Sequence, residues 1–212
     1  IPIEQFNREE YYSLVSVLFQ DSTMLALSLD ENLTGQNAAK IDREQLARAL
    51  KLSNFESVYE GLSDKGATPL VREINQNATD FSGGEKQRLL FARTLYLDTP
   101  LVILDEPTAA LDPIAENELY LNYGKSMENK TSVYISHRLS STRFCDRILL
   151  LEHGEIIEEG THEGLLAGST RYAELFEVQS QYYREESERK RRSELMDDAY
   201  LSDMAKKGVF DE

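Results

Sequence analysis

The chain has 212 residues, a length that fits one ordinary domain or a core with a small subdomain. Its 23 basic and 38 acidic residues give a formal net charge of −15, which argues against a chain that coats nucleic acid, because such a surface repels phosphate backbones. No apolar run approaches the roughly twenty residues of a bilayer-spanning helix. The single cysteine, Cys145, excludes an internal disulfide.

Short apolar strands alternate with amphipathic helices along most of the chain. Strand, helix and strand follow one another after residue 100, which predicts an α/β fold. The run over 101–104 contains only apolar residues, a pattern typical of a parallel strand buried on both faces. In chain order, the predicted elements are a helix over 7–14, a strand over 16–20, helices over 42–50 and 84–97, a strand over 101–104, a helix over 117–127, a strand over 131–136, a hairpin over 147–159 and a helix over 163–178.

A pair of glycines stands inside a helix-start motif at 82–85. Ser82 and Glu85 have the spacing of a capping box, in which the two side chains bond each other's backbone N–H groups. Gly83 and Gly84 leave backbone N–H groups uncovered at the positive end of the helix dipole, an arrangement that favours phosphate. A plain capped helix is the alternative, because capping boxes are common.

Two carboxylates directly follow the apolar strand. Asp105 and Glu106 stand at its carboxyl end, where α/β sheets bind their ligands. Asp105 is suited to holding Mg²⁺, and Glu106 to polarising a water molecule. The alternative is an exposed pair of carboxylates without a ligand.

The three histidines differ in their predicted surroundings. His137 directly follows the strand over 131–136, where a neutral imidazole can hydrogen-bond a γ-phosphate and link it to a catalytic base. His153 lies in the predicted hairpin turn and His162 in a loop before a helix. We therefore expect structural roles for His153 and His162.

In this order the motifs resemble the nucleotide-binding domain of ATP-binding cassette (ABC) transporters, over residues 1–180. The segment at 82–85 is similar to the family's signature loop, Leu-Ser-Gly-Gly-Gln, with Phe81 and Glu85 in place of Leu and Gln. The other matching residues are Gln20 (the Q-loop glutamine), Asp105 (the Walker B aspartate), Glu106 (the catalytic glutamate), Ala109-Ala110-Leu111-Asp112 (the D-loop) and His137 (the switch histidine).

This resemblance implies a partial P-loop NTPase (RecA-like) fold: an α/β parallel sheet core with an inserted helical subdomain. Its segments would be a partial core with the Q-loop over 1–27, a helical signature subdomain over 28–97, a catalytic core over 98–180 and a charged tail over 181–212. Segments 27–33 and 154–162 are similar to stretches found in the exporter branch of the family.

The implied activity is ATP hydrolysis with Mg²⁺, powering transport at the cytoplasmic face of the cell membrane. The implied partners are a second nucleotide-binding domain, in a head-to-tail dimer, and the transmembrane domains of a transporter, with no nucleic acid. Glu106 and His137 would be catalytic, and Asp105 and Gln20 would hold Mg²⁺. The residues implied to contact ATP are Gln20, Ser82, Gly83, Gly84, Glu85 and Asp112.

The family's Walker A loop, G-x-x-x-x-G-K-[ST], has no match upstream of Gln20. Gly124-Lys125-Ser126 has Leu119 where the first glycine belongs, and it lies inside a predicted helix, so it is not interpreted as this loop. We expect an incomplete domain that is inactive alone and has unpaired strand edges and a bared apolar face.

Two other functions fit the same motifs. One is a soluble ABC-type ATPase, for example in translation or DNA repair. Such proteins usually carry long coiled-coil insertions, tandem cassettes or basic arms, and this sequence shows none of these features. The other is a non-catalytic module that lends its signature loop to a complete partner. That module predicts no activity alone and a gain of activity when the partner is added.

Overall fold

The computed structural model describes residues 2–72, 74–109, 111, 113–127, 130–182 and 184–185, with Asp112, part of the predicted D-loop, and most of the charged tail outside this set. Within it, contacts between Cα atoms divide the chain into two compact units, Ile1–His137 and Arg138–Glu212. The boundary after His137 falls within the predicted catalytic core over 98–180. The division into four segments stays a prediction.

A three-stranded parallel sheet forms the centre of the first unit. Its strands are β1 (Val15–Leu18), β2 (Leu101–Asp105) and β3 (Thr131–Ile135), in the order β1-β2-β3. Val17 pairs with Ile103, which pairs in turn with Val133. Parallel neighbours need a crossover connection, and helices supply it here, so the predicted α/β class is confirmed.

The two faces of this sheet differ in exposure. Val102 and Leu104 of β2 are fully buried, whereas the alternate residues of β2 are only half-buried. On β3, Val133 is 45% exposed and Ile135 is 49% exposed. The prediction that the strand over 101–104 is buried on both faces is therefore wrong. Side chains alternate between the faces of a strand, and an apolar run does not reveal whether a second layer covers both.

The first unit also contains α-helices and short 3₁₀ turns. The helix predicted over 84–97 is confirmed as α5 (Gly83–Tyr96), which buries Leu89, Ala92 and Tyr96 on one face. α6 begins earlier than predicted, at Pro113, because proline is favoured at the first helical position. The helices are α1 (Arg8–Ser13), α2 (Leu29–Thr34), α3 (Arg43–Leu52), α4 (Glu56–Gly61), α5 (Gly83–Tyr96) and α6 (Pro113–Ser126), and the 3₁₀ turns are Ile3–Gln5, Ala38–Lys40 and Lys65–Ala67.

A buried carboxylate joins the small helices of the first unit. Asp30 of α2 is only 5% exposed, and it accepts hydrogen bonds from the Arg43 guanidinium and from the Tyr59 hydroxyl, the latter at 2.8 Å. Gly66 lies directly against the Asp30 carboxylate, so closely that a Cβ at this position would overlap it. A buried charge is stable only when paired and hydrogen-bonded, as Asp30 is here.

The second unit contains a β-hairpin and short helices. β4 (Ile148–Glu152) and β5 (Glu155–Gly160) pair antiparallel around His153 and Gly154, whose φ angles of 52° and 83° fit a two-residue hairpin turn. The hairpin is therefore confirmed. A 3₁₀ turn over Leu139–Phe144 precedes it, and α7 (His162–Ala167) follows it.

The helix predicted over 163–178 is wrong as a single element. α7 ends before Gly168, and a new helical segment runs over 171–182. The Thr170 hydroxyl accepts a hydrogen bond from the backbone N–H of Ala173 at 3.1 Å, which caps the second helix. Among the residues that the structure describes, no helix has the length and apolar character needed to cross a bilayer.

Candidate functional site

Polar side chains from three different strands meet at the carboxyl edge of the parallel sheet. Gln20 follows β1, Glu106 follows β2 and His137 follows β3. The Gln20 side-chain amide donates to Oε2 of Glu106 at 3.0 Å, and Nδ1 of His137 lies 2.9 Å from Oε1 of Glu106. The structure thus brings together three residues that sequence reasoning selected separately.

The backbone of Glu106 adopts an unusual conformation. Its φ angle is 46°, in the left-handed region that residues other than glycine rarely occupy. The Glu106 N–H donates to the Ile135 carbonyl at 3.0 Å, and the Glu106 carbonyl accepts from the Ala109 N–H at 3.3 Å and from the Gln87 side-chain amide at 3.1 Å. Such strain persists only where surrounding contacts hold it, and it is frequent at functional sites.

Glu106 and His137 differ in exposure. The Glu106 side chain is 22% exposed, whereas that of His137 is 63% exposed. An ionised carboxylate accepts hydrogen bonds and does not donate them, so Nδ1 of a neutral His137 carries the proton in this pair. Nε2 of His137 is then left as the acceptor nitrogen of the ring.

Asp105 is the last residue of β2 and is half-buried, one position before Glu106. Within the described ranges, no group of three or more His, Cys, Asp or Glu side chains has the geometry of a metal site. Mg²⁺ in nucleotide sites is commonly held by one or two carboxylates plus the substrate phosphates, and the assignment of Asp105 and Gln20 as its ligands stays a prediction.

The signature segment forms the first turn of α5. Glu85 N–H donates to the Ser82 hydroxyl at 3.3 Å, while the N–H and O–H of Ser82 both donate to Oε2 of Glu85 at 2.8 Å. The predicted capping box is therefore confirmed. The Ser82 backbone and hydroxyl bonds lower the pKa of Glu85. Gly83 and Gly84 lie in the first turn of the helix, where N–H groups have no intrahelical acceptor.

A buried polar network lies just after Glu106, and sequence reasoning missed it. Thr108 and Tyr120 both donate to Oε1 of Glu116, at 3.0 and 2.9 Å, and the Tyr120 hydroxyl also bonds that of Tyr134. Desolvation raises the pKa of Tyr134 well above its ordinary value. The network joins the segment after β2 to α6 and β3, so it helps to fix the chain on which Glu106 stands.

Sequence reasoning also missed Gln87. No motif in the sequence indicates a role for Gln87. The signature segment ends at Glu85, and Gln87 is one polar residue of a predicted amphipathic helix. Asp112, predicted to contact ATP, is outside the described residues. Gly124 and Ser126 lie in the last turn of α6, so this segment is helical as predicted and does not form a phosphate loop.

Comparisons with known proteins point to one family. The sequence model described as "ABC transporter" matches residues 2–109 of this chain. The chain is 37% identical over 171 residues to the Glutathione/L-cysteine transport system ATP-binding/permease protein CydD of Bacillus subtilis (strain 168), covering 81% of this chain and 29% of that protein. It is 33% identical over 179 residues to the ATP-dependent lipid A-core flippase of Legionella pneumophila (strain Paris), covering 84% and 30%.

A solved structure agrees with these sequence matches. It is titled "Structure of a bacterial Atm1-family ABC exporter with ATP bound" and superposes with a TM-score of 0.74 at 28% identity, covering 84% of this chain and 30% of that one. The likeness assigns the P-loop NTPase fold to the parallel sheet described above. The chain spans about three-tenths of the length of these relatives.

Proposed function

Because this chain belongs to the ABC transporter family, we propose that it is the ATP-binding and ATP-hydrolysing domain of an exporter-type transporter. The observation that carries this proposal is the convergence of Gln20, Glu106 and His137 at one edge of the parallel sheet. Ligands of α/β sheets bind at this edge. Three polar side chains from three strands meet there around one carboxylate that is largely withdrawn from solvent.

In the proposed reaction, Glu106 acts as the general base. Its carboxylate orients a water molecule for attack on the γ-phosphorus, and accepts a proton as the new P–O bond forms and the bond to ADP breaks. His137 orients the carboxylate through the hydrogen bond from Nδ1. Gln20 bonds the other carboxylate oxygen and fixes its orientation.

The proposed cofactor is Mg²⁺, with Asp105 and the Gln20 amide oxygen as its protein ligands. When bound, Mg²⁺ neutralises charge on the β- and γ-phosphate oxygens. Gln20 would then serve both the metal and Glu106, which its amide group permits because the oxygen accepts metal bonds while the nitrogen donates to the carboxylate.

The start of α5 is proposed to serve a second nucleotide. The Ser82 hydroxyl is exposed, and the N–H groups of Gly83 and Gly84 lie at the positive end of a 14-residue helix. We propose that these groups close over ATP held by a second nucleotide-binding domain in a head-to-tail dimer. Glu85 would have to release Ser82 before the hydroxyl could bond a phosphate.

The proposed partners in the membrane are the transmembrane domains of the transporter. The relatives are named as a transport system, a flippase and an exporter, and this chain spans about three-tenths of their length. We propose that ATP closes the dimer and hydrolysis reopens it, at the cytoplasmic face of the membrane. No Walker A motif lies upstream of Gln20, so the isolated 212-residue chain is proposed to lack turnover by itself.

The test is ATP turnover by the assembled transporter carrying Glu106→Gln. Removal of the general base should lower turnover by about 10²–10⁴-fold while ATP binding is kept. Glu118→Gln is the matched control, because Glu118 is an exposed carboxylate on α6 that accepts from the Asn54 side chain. Unchanged turnover in Glu106→Gln would overturn the assignment of Glu106.

A further inference from the structure

We infer that Gln87 is a positioning residue that ties the signature helix α5 to the backbone of Glu106 within the same chain. The inference rests on the proposed function, since it assigns a role to Gln87 through the proposed base. Gln87 is half-buried on α5, and its side-chain amide donates to the carbonyl oxygen of Glu106 at 3.1 Å.

The carbonyl that Gln87 binds belongs to a strained residue. At a φ of 46°, Glu106 is in a backbone conformation that is unfavourable without support from surrounding contacts. The backbone groups of Ile135 and Ala109 supply two hydrogen bonds. Gln87 supplies a third, and it is the one of these that comes from α5. The direction of the Glu106 side chain depends on this backbone conformation.

Gln87 also lies close to the signature segment along the same rigid element. Gln87 lies five positions after Ser82, which corresponds to about 7.5 Å along the helix axis. Any displacement of the start of α5, such as closure of Ser82 onto a nucleotide, is therefore transmitted to the carbonyl of Glu106. The signature segment and Glu106 are proposed to serve two different nucleotides, so Gln87 provides a link within one chain between the two sites.

This link predicts a defect in the chemical step rather than in ATP affinity. The role inferred for Gln87 acts through the Glu106 carbonyl, so loss of Gln87 should leave ATP binding unchanged. A carboxylate out of position orients water poorly, and misplacement by about 1 Å can cost as much as 10²-fold in rate.

Gln87→Glu in the assembled transporter is the direct test. Glutamate keeps the shape of the side chain but has no N–H to donate, and we expect kcat about tenfold lower with an unchanged Kd for ATP. The matched control is Gln45→Glu, because the Gln45 amide donates to the Tyr96 carbonyl at 2.6 Å, at the far end of α5. Gln45→Glu should keep wild-type kcat. Equal kcat losses in both variants, or no loss in Gln87→Glu, would overturn the inference.

Two further variants guard the test against a folding defect and against failure of the proposed function. Gln87→Lys retains an N–H donor and should recover part of the lost kcat, whereas a kcat no higher than that of Gln87→Glu contradicts the inference. The double variant Glu106→Gln with Gln87→Glu should have the same residual turnover as Glu106→Gln alone. If Gln87→Glu lowers turnover by the same factor in the Glu106→Gln background as in the wild type, the link is contradicted. If Glu106→Gln alone leaves turnover intact, the assignment of Glu106 as the base fails, and if the wild-type assembled transporter hydrolyses no ATP, the proposed function itself fails.

Discussion

Nδ1 of His137 lies 2.9 Å from Oε1 of Glu106, although the two residues follow different strands. The pair exists because β2 and β3 are parallel neighbours in register, with Asp105 opposite Ile135, so their carboxyl ends meet at one edge. The carboxylate orients the imidazole, and the imidazole in turn orients the carboxylate. This reciprocal arrangement leads to the first prediction.

His137→Ala should lower ATP turnover of the assembled transporter by about 10²-fold, because Glu106 loses the imidazole contact that orients its carboxylate. Steady-state phosphate release is the measurement. His153→Asn is the control, since His153 lies in the hairpin turn with a φ of 52°, which asparagine tolerates. A loss in His153→Asn equal to that in His137→Ala would contradict a specific role for His137.

The capping boxes of α2 and α5 separate stability from nucleotide binding. Ser28 caps α2 with the same set of bonds to Glu31 that Ser82 makes to Glu85. Ser28→Ala and Ser82→Ala should each reduce the free energy of unfolding by about 1 kcal/mol, measured by denaturant titration.

The two variants should differ in one respect: only Ser82→Ala should weaken the ATP-dependent association of two nucleotide-binding domains. Light scattering with and without ATP measures this association. If both variants weakened it equally, the role proposed for Ser82 would be excluded.

Gly66→Ala should destabilise the protein by about 1–3 kcal/mol, because the added methyl group overlaps the Asp30 carboxylate, which Arg43 and Tyr59 hold in place. Gly61→Ala is the matched control, since a Cβ there meets no atom within 4 Å. Its effect should be within about 1 kcal/mol of zero. Thermal denaturation compares the two variants, and equal losses of stability would contradict the packing described around Asp30.

The raised pKa of Tyr59 predicts that the stability of the protein depends on pH. Burial, followed by the bond to Asp30, raises its pKa from 10.0 to about 12. Between these values the unfolded chain releases a proton that the folded chain keeps, so the contribution of Tyr59 to stability is complete below pH 10 and is lost as the pH rises to 12.

Denaturant titrations across this pH range should show a shallower fall in stability for Tyr59→Phe than for the wild type. At neutral pH, Tyr59→Phe should also cost about 1–3 kcal/mol, because Asp30 loses a hydrogen bond. Identical pH profiles for the two proteins would show that Tyr59 titrates normally.

Features that depend on neighbouring residues were predicted well from the sequence. The capping box at Ser82 and Glu85 depends on residues three positions apart, and the hairpin turn at His153 and Gly154 on two neighbours, so sequence spacing alone identifies both. The carboxylates after β2 were also foreseeable, because an apolar strand places whatever follows it at the edge of the sheet.

Contacts between residues far apart in the chain could not be predicted from the sequence. The bond from Gln87 to the Glu106 carbonyl and the network of Thr108, Glu116 and Tyr120 both depend on how separate elements pack. The prediction of one continuous helix over 163–178 was wrong for a different reason. Gly168 and the cap at Thr170 are local signals that break a helix, but apolar residues on both sides continue the helical period.

The central claim is that two parts of this chain bind nucleoside triphosphates. One is the carboxylate pair Asp105 and Glu106, and the other is the start of α5 at Ser82. The most direct measurement is a structure of the assembled transporter with a non-hydrolysable ATP analogue and Mg²⁺. We predict Glu106 one water molecule away from a γ-phosphorus, and Ser82 within hydrogen-bonding distance of the γ-phosphate of the partner domain's nucleotide. If both clusters were far from every phosphorus atom, the claim would be contradicted.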